Sequence, residues 1–203
     1  MRLWDTANGY GWVSIALHWL SAAAIVALLY TGMVTQMAVG GERHLETTGT
    51  HMTIAVLALP LLWVRVIWRL SIGHPGVAGT QSQWLHLLAK VTHYLTVIAL
   101  IGMLLSGPLM VWAGGEPLRV FGAAILGPWS ESWPVGRVFM RGLHGFFGAA
   151  LLWLVLLHVL AVTLHVAVFR DGSFDRIMVP EAGRSDPRTP RANREPPAPF
   201  RRG

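Results

Sequence analysis

Four apolar runs, each close to the length needed to cross a bilayer, limit what this chain can become. They lie at Trp12–Met33, His51–Leu70, His86–Trp112 and His144–Phe169. About 20 helical residues span the hydrocarbon core. Inside lipid only a helix or a closed barrel satisfies its own backbone, and runs this long and continuous read as helices. The predicted fold is therefore all-α, an integral membrane four-helix bundle. Arg65 and Arg69 fall near the end of the second run, where long basic side chains snorkel to the interface. Of the 203 residues, 53% are hydrophobic and 13% charged. Four spans and a polar tail leave no room for a soluble catalytic domain.

The segments between the runs set the organisation. Residues Met1–Gly11 read as a short polar lead-in, and the long first run as a retained helix rather than a cleaved signal. Val34–Thr50 reads as a first outer loop, Ser71–Trp84 as a Gly/Pro-broken inner linker, and Ala113–Gly142 as the longest loop. Within that loop Val120–Leu126 is too short to span and too apolar to be fully solvated. It is expected along the outer interface, as a cap over the bundle end. From Glu181 the chain is rich in Pro and Arg and nearly free of apolar residues, which predicts disorder. The expected domains are thus residues 1–178, a transmembrane unit, and residues 179–203, a basic cytoplasmic tail.

Basic residues set the orientation. One side carries Arg2, Arg65, Arg69, Lys90 and the eight arginines from Arg170 onward; the other carries Arg43, Arg119, Arg137 and Arg141. Both termini are expected in the cytoplasm of a bacterium, with the chain multi-pass in the inner membrane. The net charge of +6 follows from this asymmetry and the tail, so no nucleic-acid partner is expected; membrane lipid is.

The histidines carry the chemistry. His144 and His158 sit fourteen residues apart in HGFFGAALLWLVLLH. Fourteen steps of about 100° bring the second side chain within roughly 40° of the first, about 21 Å along the axis. Ionisable residues inside a membrane are expensive and count as functional candidates. By depth, His51 pairs with His144 towards the outer side, while His18, His93 and His158 share the inner side. Histidine is a common axial ligand of haem iron, and facing helices of a bundle supply ligands. Two bis-histidine haems would use four of these five. The absence of cysteine excludes thiolate-ligated haem, covalent C-x-x-C-H attachment and iron–sulfur clusters on this chain. Gly145 and Gly148 are candidates for letting a flat macrocycle approach the backbone. Arg65, fourteen residues after His51, is placed to meet a haem propionate or a quinone headgroup, since its fork suits carboxylates.

The segments GYGWVSIALHW (Gly9–Trp19), His51 followed by VRVIWRL (Val64–Leu70), KVTHYL (Lys90–Leu95), the His144/His158 pair and FRDGSFDRIM (Phe169–Met178) together resemble the bacterial cytochrome b561 family. That family lies within the larger group that includes the cytochrome b subunits of nickel hydrogenases and formate dehydrogenases. The resemblance covers roughly Gly9–Met178. It implies a four-helix bundle with two b haems between the helices, His18 with His158 inside and His51 with His144 outside. It also implies electron exchange with ubiquinone or another membrane quinone near the inner haem, where Arg65 and His93 would take part. The expected function is electron transfer between a periplasmic donor or acceptor and the quinone pool. One form is a solitary superoxide:quinone oxidoreductase, with Arg119, Arg137 and Arg141 steering a small anion. The alternative is a quinone-reactive anchor subunit of a periplasmic dehydrogenase or hydrogenase.

Overall fold

A computed structural model describes residues 3–6, 9–38, 40–72, 83–128, 131–169 and 174–178. The disorder expected from Glu181 and most of the inner linker lie outside the described residues. Four long helices dominate: α1 (Trp12–Met37), α2 (Gly41–Ser71), α3 (Gln83–Ala113) and α4 (Pro134–Leu164). All four are long and apolar enough to cross a membrane. A π-helical turn, His165–Phe169, extends α4, and a short α5 (Asp175–Met178) follows.

Two helices begin about ten residues earlier than hydropathy implies. The polar stretch expected as an outer loop instead forms the first turns of α2, with Glu42 in its first turn, where a carboxylate suits the positive end of the helix dipole. Thr47, Thr48 and Thr50 fold their hydroxyls back onto the carbonyls of Arg43, His44 and Glu46. At the start of α2, Gly40 and Gly41 have φ values of 69° and 72°, which suit residues without a Cβ. Likewise α4 begins at Pro134, a residue preorganised for a first helical position.

The long loop between α3 and α4 also contains strands. β1 (Leu118–Val120) and β2 (Ala123–Leu126) form an antiparallel hairpin around Phe121–Gly122. Both turn residues have positive φ, 48° and 82°, as type I′ turns require. The Phe121 N–H donates to Thr53 Oγ1 at 3.1 Å and the Arg119 N–H to Met52 Sδ at 3.2 Å. The hairpin thus caps α2 beside His51, and the apolar stretch expected as a cap is built from a pair of strands.

α1 packs along α2 and α3 along α4, so the bundle is two helical hairpins. They meet through a core at middle depth: Ala58, Leu62 and Val66 from α2, Ala99, Leu100 and Leu104 from α3, and Leu151 from α4. Contact between α1 and α4 is sparse. Pro60 and Pro108 lie inside α2 and α3, which membrane helices tolerate because neighbours satisfy the freed backbone.

The lead-in is a folded strap. Asp5 accepts hydrogen bonds from the Gly11 N–H (2.8 Å) and the Ser14 hydroxyl (2.7 Å). Ser14 in turn accepts from the Trp68 indole at 2.7 Å, and Trp4 stacks on Trp68 with ring centres 5.5 Å apart. A Cβ on Gly11 would collide with the Leu3 carbonyl; only glycine lets the strap pass this close.

Candidate functional site

Two pairs of histidine rings face each other across the seam between the helical hairpins. His18 on α1 and His158 on α4 have ring centres 6.3 Å apart with planes at 63°. His51 on α2 and His144 on α4 are 6.5 Å apart at 79°. Both pairs use α4, at positions separated by about four helical turns. The Leu62–Leu151 core lies between them. His158 is exposed, and the other three rings are half-buried.

The His51–His144 pair, termed outer here for its place beside the β-hairpin, is held from behind. The Thr31 hydroxyl on α1 donates to the Ala27 carbonyl (2.8 Å) and lies 2.9 Å from His51 Nδ1. With the hydroxyl hydrogen on the carbonyl, the ring N–H must be the donor to Thr31, which leaves Nε2 as the lone-pair nitrogen. On α3, the buried Ser106 hydroxyl stands 3.1 Å from His144 Nδ1. Glycines follow each hydroxyl. A Cβ at Gly32 would lie 3.4 Å from His51 Cε1, and one at Gly107 would lie 3.2 Å from His144 Cε1. Gly145 and Gly148, the glycines expected to matter, do not back these rings: a Cβ at Gly148 would meet Met103, and one at Gly145 nothing within 4 Å.

At the inner pair the neighbours are charged. Arg65 and Arg69 both act electrostatically on His18, and Asp5 and Tyr10 lie beside them. Arg69 donates through Nε to His93 Nε2. The structure therefore brings His18 and His158 together and gives His93 to Arg69. Ser21, one turn beyond His18, keeps a buried hydroxyl with no protein partner among the described residues. Asp5, Thr31, Ser106, Gly32 and Gly107 escaped the sequence reading. A usable signal for four of them was the repeated hydroxyl–glycine dipeptide, Thr31–Gly32 and Ser106–Gly107, inside apolar helices.

Of the arginines expected to steer an anion, Arg119 donates to the Gly122 carbonyl at 3.0 Å. The Arg137 guanidinium packs against Gly114, where a Cβ would lie 2.9 Å from Nη1.

Residues 9–180 match the family model for prokaryotic cytochrome b561, and the chain belongs to that family. It is accordingly a membrane b-type cytochrome of electron transfer, in a family that binds haem b. It is similar to cytochrome b561 homolog 2 of Escherichia coli (strain K12), 27% identical over 180 residues, which cover 88% of this chain and 95% of that one.

The residues present fit such a group. Two imidazoles on one metal, with bonds of about 2.0–2.1 Å and roughly 1.1 Å from nitrogen to ring centre, have centres about 6.3 Å apart. The two ring separations match that value. The sparse contact of α1 with α4, the glycines behind the outer rings and the orphaned Ser21 hydroxyl are in keeping with a flat group between the helical hairpins.

Proposed function

We propose that this chain is a dihaem cytochrome carrying electrons between a periplasmic donor and the membrane quinone pool. The observation that carries the reading is the pair of ring separations, each of which would suit one iron held between two imidazoles. His18 and His158 would hold the inner haem, and His51 and His144 the outer one. Each haem supplies a one-electron carrier within the bilayer. The protein's part is to hold both imidazoles of a pair, exclude water through the core between the sites, and set the local charge. Arg65 and Arg69 place positive charge at the inner pair, suited to a propionate or to a quinone headgroup, and His93 extends that cluster. The transmembrane unit is taken as residues 1–178 with a cytoplasmic tail at 179–203. Both termini lie in the cytoplasm of a bacterial inner membrane, on the side richer in arginine and lysine.

The test is haem quantitation with reduced-minus-oxidised spectra on the purified full chain. Two low-spin b haems per chain are expected. His51→Ala or His144→Ala should remove mainly the outer one, His18→Ala or His158→Ala mainly the inner one, and His93→Ala neither. One haem per chain, or a haem lost from His93→Ala but kept in His18→Ala, overturns the assignment. The same preparation tests the donor. Fast, salt-sensitive haem reduction by superoxide supports a solitary superoxide:quinone oxidoreductase. No reaction, with a dehydrogenase co-purifying in stoichiometric amount, supports an anchor subunit instead.

A further inference from the structure

The outer and inner histidine pairs are supported differently. Each outer ring is held by the helix packed beside its own: α1 presents Thr31 and Gly32 to His51 on α2, and α3 presents Ser106 and Gly107 to His144 on α4. The same two-residue device occurs once in each helical hairpin. The hydroxyl meets Nδ1, and a Cβ on the next residue would touch the ring edge, in ordinary contact at Gly32 and tightly at Gly107. Among the described residues no hydroxyl meets His18 or His158, and the nearby charges there are those of Arg65 and Arg69.

We propose that Thr31–Gly32 and Ser106–Gly107 are matched positioning pairs that hold the outer imidazoles with Nδ1–H donated to a hydroxyl, and so make the outer site the weaker electron acceptor of the two. The inference rests on the dihaem reading. An imidazole that donates its second N–H becomes a more basic ligand, and a more basic ligand favours the oxidised metal. Second-shell hydrogen bonding is one of the recognised means by which a protein tunes a haem. At the inner site the two guanidiniums favour the form with one more electron. Both effects act in the same sense, so an electron arriving at the outer site moves downhill towards the inner one.

The closing experiment is a spectroelectrochemical titration of the full haem-loaded chain, resolving the two haems and counting them. Thr31→Val and Ser106→Ala should each raise the potential of the outer component alone. The expected size is about three- to tenfold in its reduced-to-oxidised ratio at fixed ambient potential, tenfold being 59 mV for one electron. Thr31→Ser, which keeps the hydroxyl, should titrate like the parent. Loss of the outer haem from Thr31→Val but not from Thr31→Ser reports the same need for the hydroxyl. In Gly107→Ala the methyl crowds His144 Cε1, and the low-spin electron paramagnetic resonance signal of the outer haem should shift with the haem retained. Two haems with potentials unmoved in Thr31→Val and Ser106→Ala, or both components moving together, overturns the proposal. A parent chain with fewer than two haems overturns the dihaem reading itself, which separates the two failures.

Discussion

Replacing Asp5 with alanine isolates the strap, because this one carboxylate joins three elements. It accepts from the Gly11 N–H at 2.8 Å and from the Ser14 hydroxyl at 2.7 Å, and Ser14 passes the connection to Trp68. Hydrogen bonds to a charged group contribute about 1.5–3 kcal/mol when well buried. Asp5 is half-exposed, which puts both bonds at the low end, together about 2 kcal/mol. That energy acts locally, so it changes how often the strap opens rather than whether the bundle folds. At 1.4 kcal/mol per decade, opening should become about 30-fold more frequent. Hydrogen exchange in detergent reads this directly. The Val13 amide, bonded to the Leu3 carbonyl at 3.2 Å, and its strap neighbours should exchange about 30-fold faster. The core stretch Ala58–Val66 should not change. Trp68→Phe removes the indole donor but keeps a ring against Trp4, and should give about fivefold, as one neutral hydrogen bond of about 1 kcal/mol implies. Strap exchange within twofold of the parent in Asp5→Ala would refute the reasoning.

Three further outcomes follow from the packing. Leu62→Ala truncates a side chain only 1% exposed in the core between the two histidine pairs, and should cost about 2–5 kcal/mol in a reversible denaturant titration. Gly102→Ala drives a methyl into the Phe147 ring, and should lower stability by about 1–3 kcal/mol, with partial recovery in the double variant carrying Phe147→Leu. Thr53→Val leaves the Phe121 N–H without its acceptor, and limited proteolysis at the Phe121–Gly122 turn should quicken by about five- to thirtyfold for a loss of about 1–2 kcal/mol.

The four spans were legible because hydropathy reports directly on what lipid demands of a backbone. Helix ends were not, because hydropathy marks where lipid begins rather than where helix does. GERHLETTGT is polar enough to look like a loop, yet its threonines bond back to preceding carbonyls and it continues as helix. The fourteen-residue interval between His144 and His158 survives folding because both residues ride on one rigid element. The partner of His93 could not be read in that way. Depth places it near His18, but which ring meets which depends on the rotation of separate helices about their axes, and that placed His93 on Arg69 instead. Thr31 and Ser106 were invisible for a related reason: a hydroxyl in a membrane helix usually satisfies itself on its own backbone, as Thr35, Thr96 and Thr163 do. The hairpin was hidden by Phe121, since a bulky residue at positive φ is rare where Asn-Gly is the usual turn signal.

The seam between the two helical hairpins has a mechanical consequence. Protein packing secures it chiefly at middle depth, while α1 and α4 scarcely touch. On the dihaem proposal each histidine pair, once it holds a haem, would act as a rivet at one end of the same joint, one tying α1 to α4 and the other α2 to α4. Closing either rivet brings the helical hairpins to the separation that the other requires, so filling the first site lowers the cost of ordering the second. Such coupling is reciprocal and typically amounts to about 1–3 kcal/mol. Cells short of haem would then hold empty and doubly filled chains in preference to half-filled ones. Scarcity would reduce the number of working wires across the membrane rather than leave a population broken in the middle.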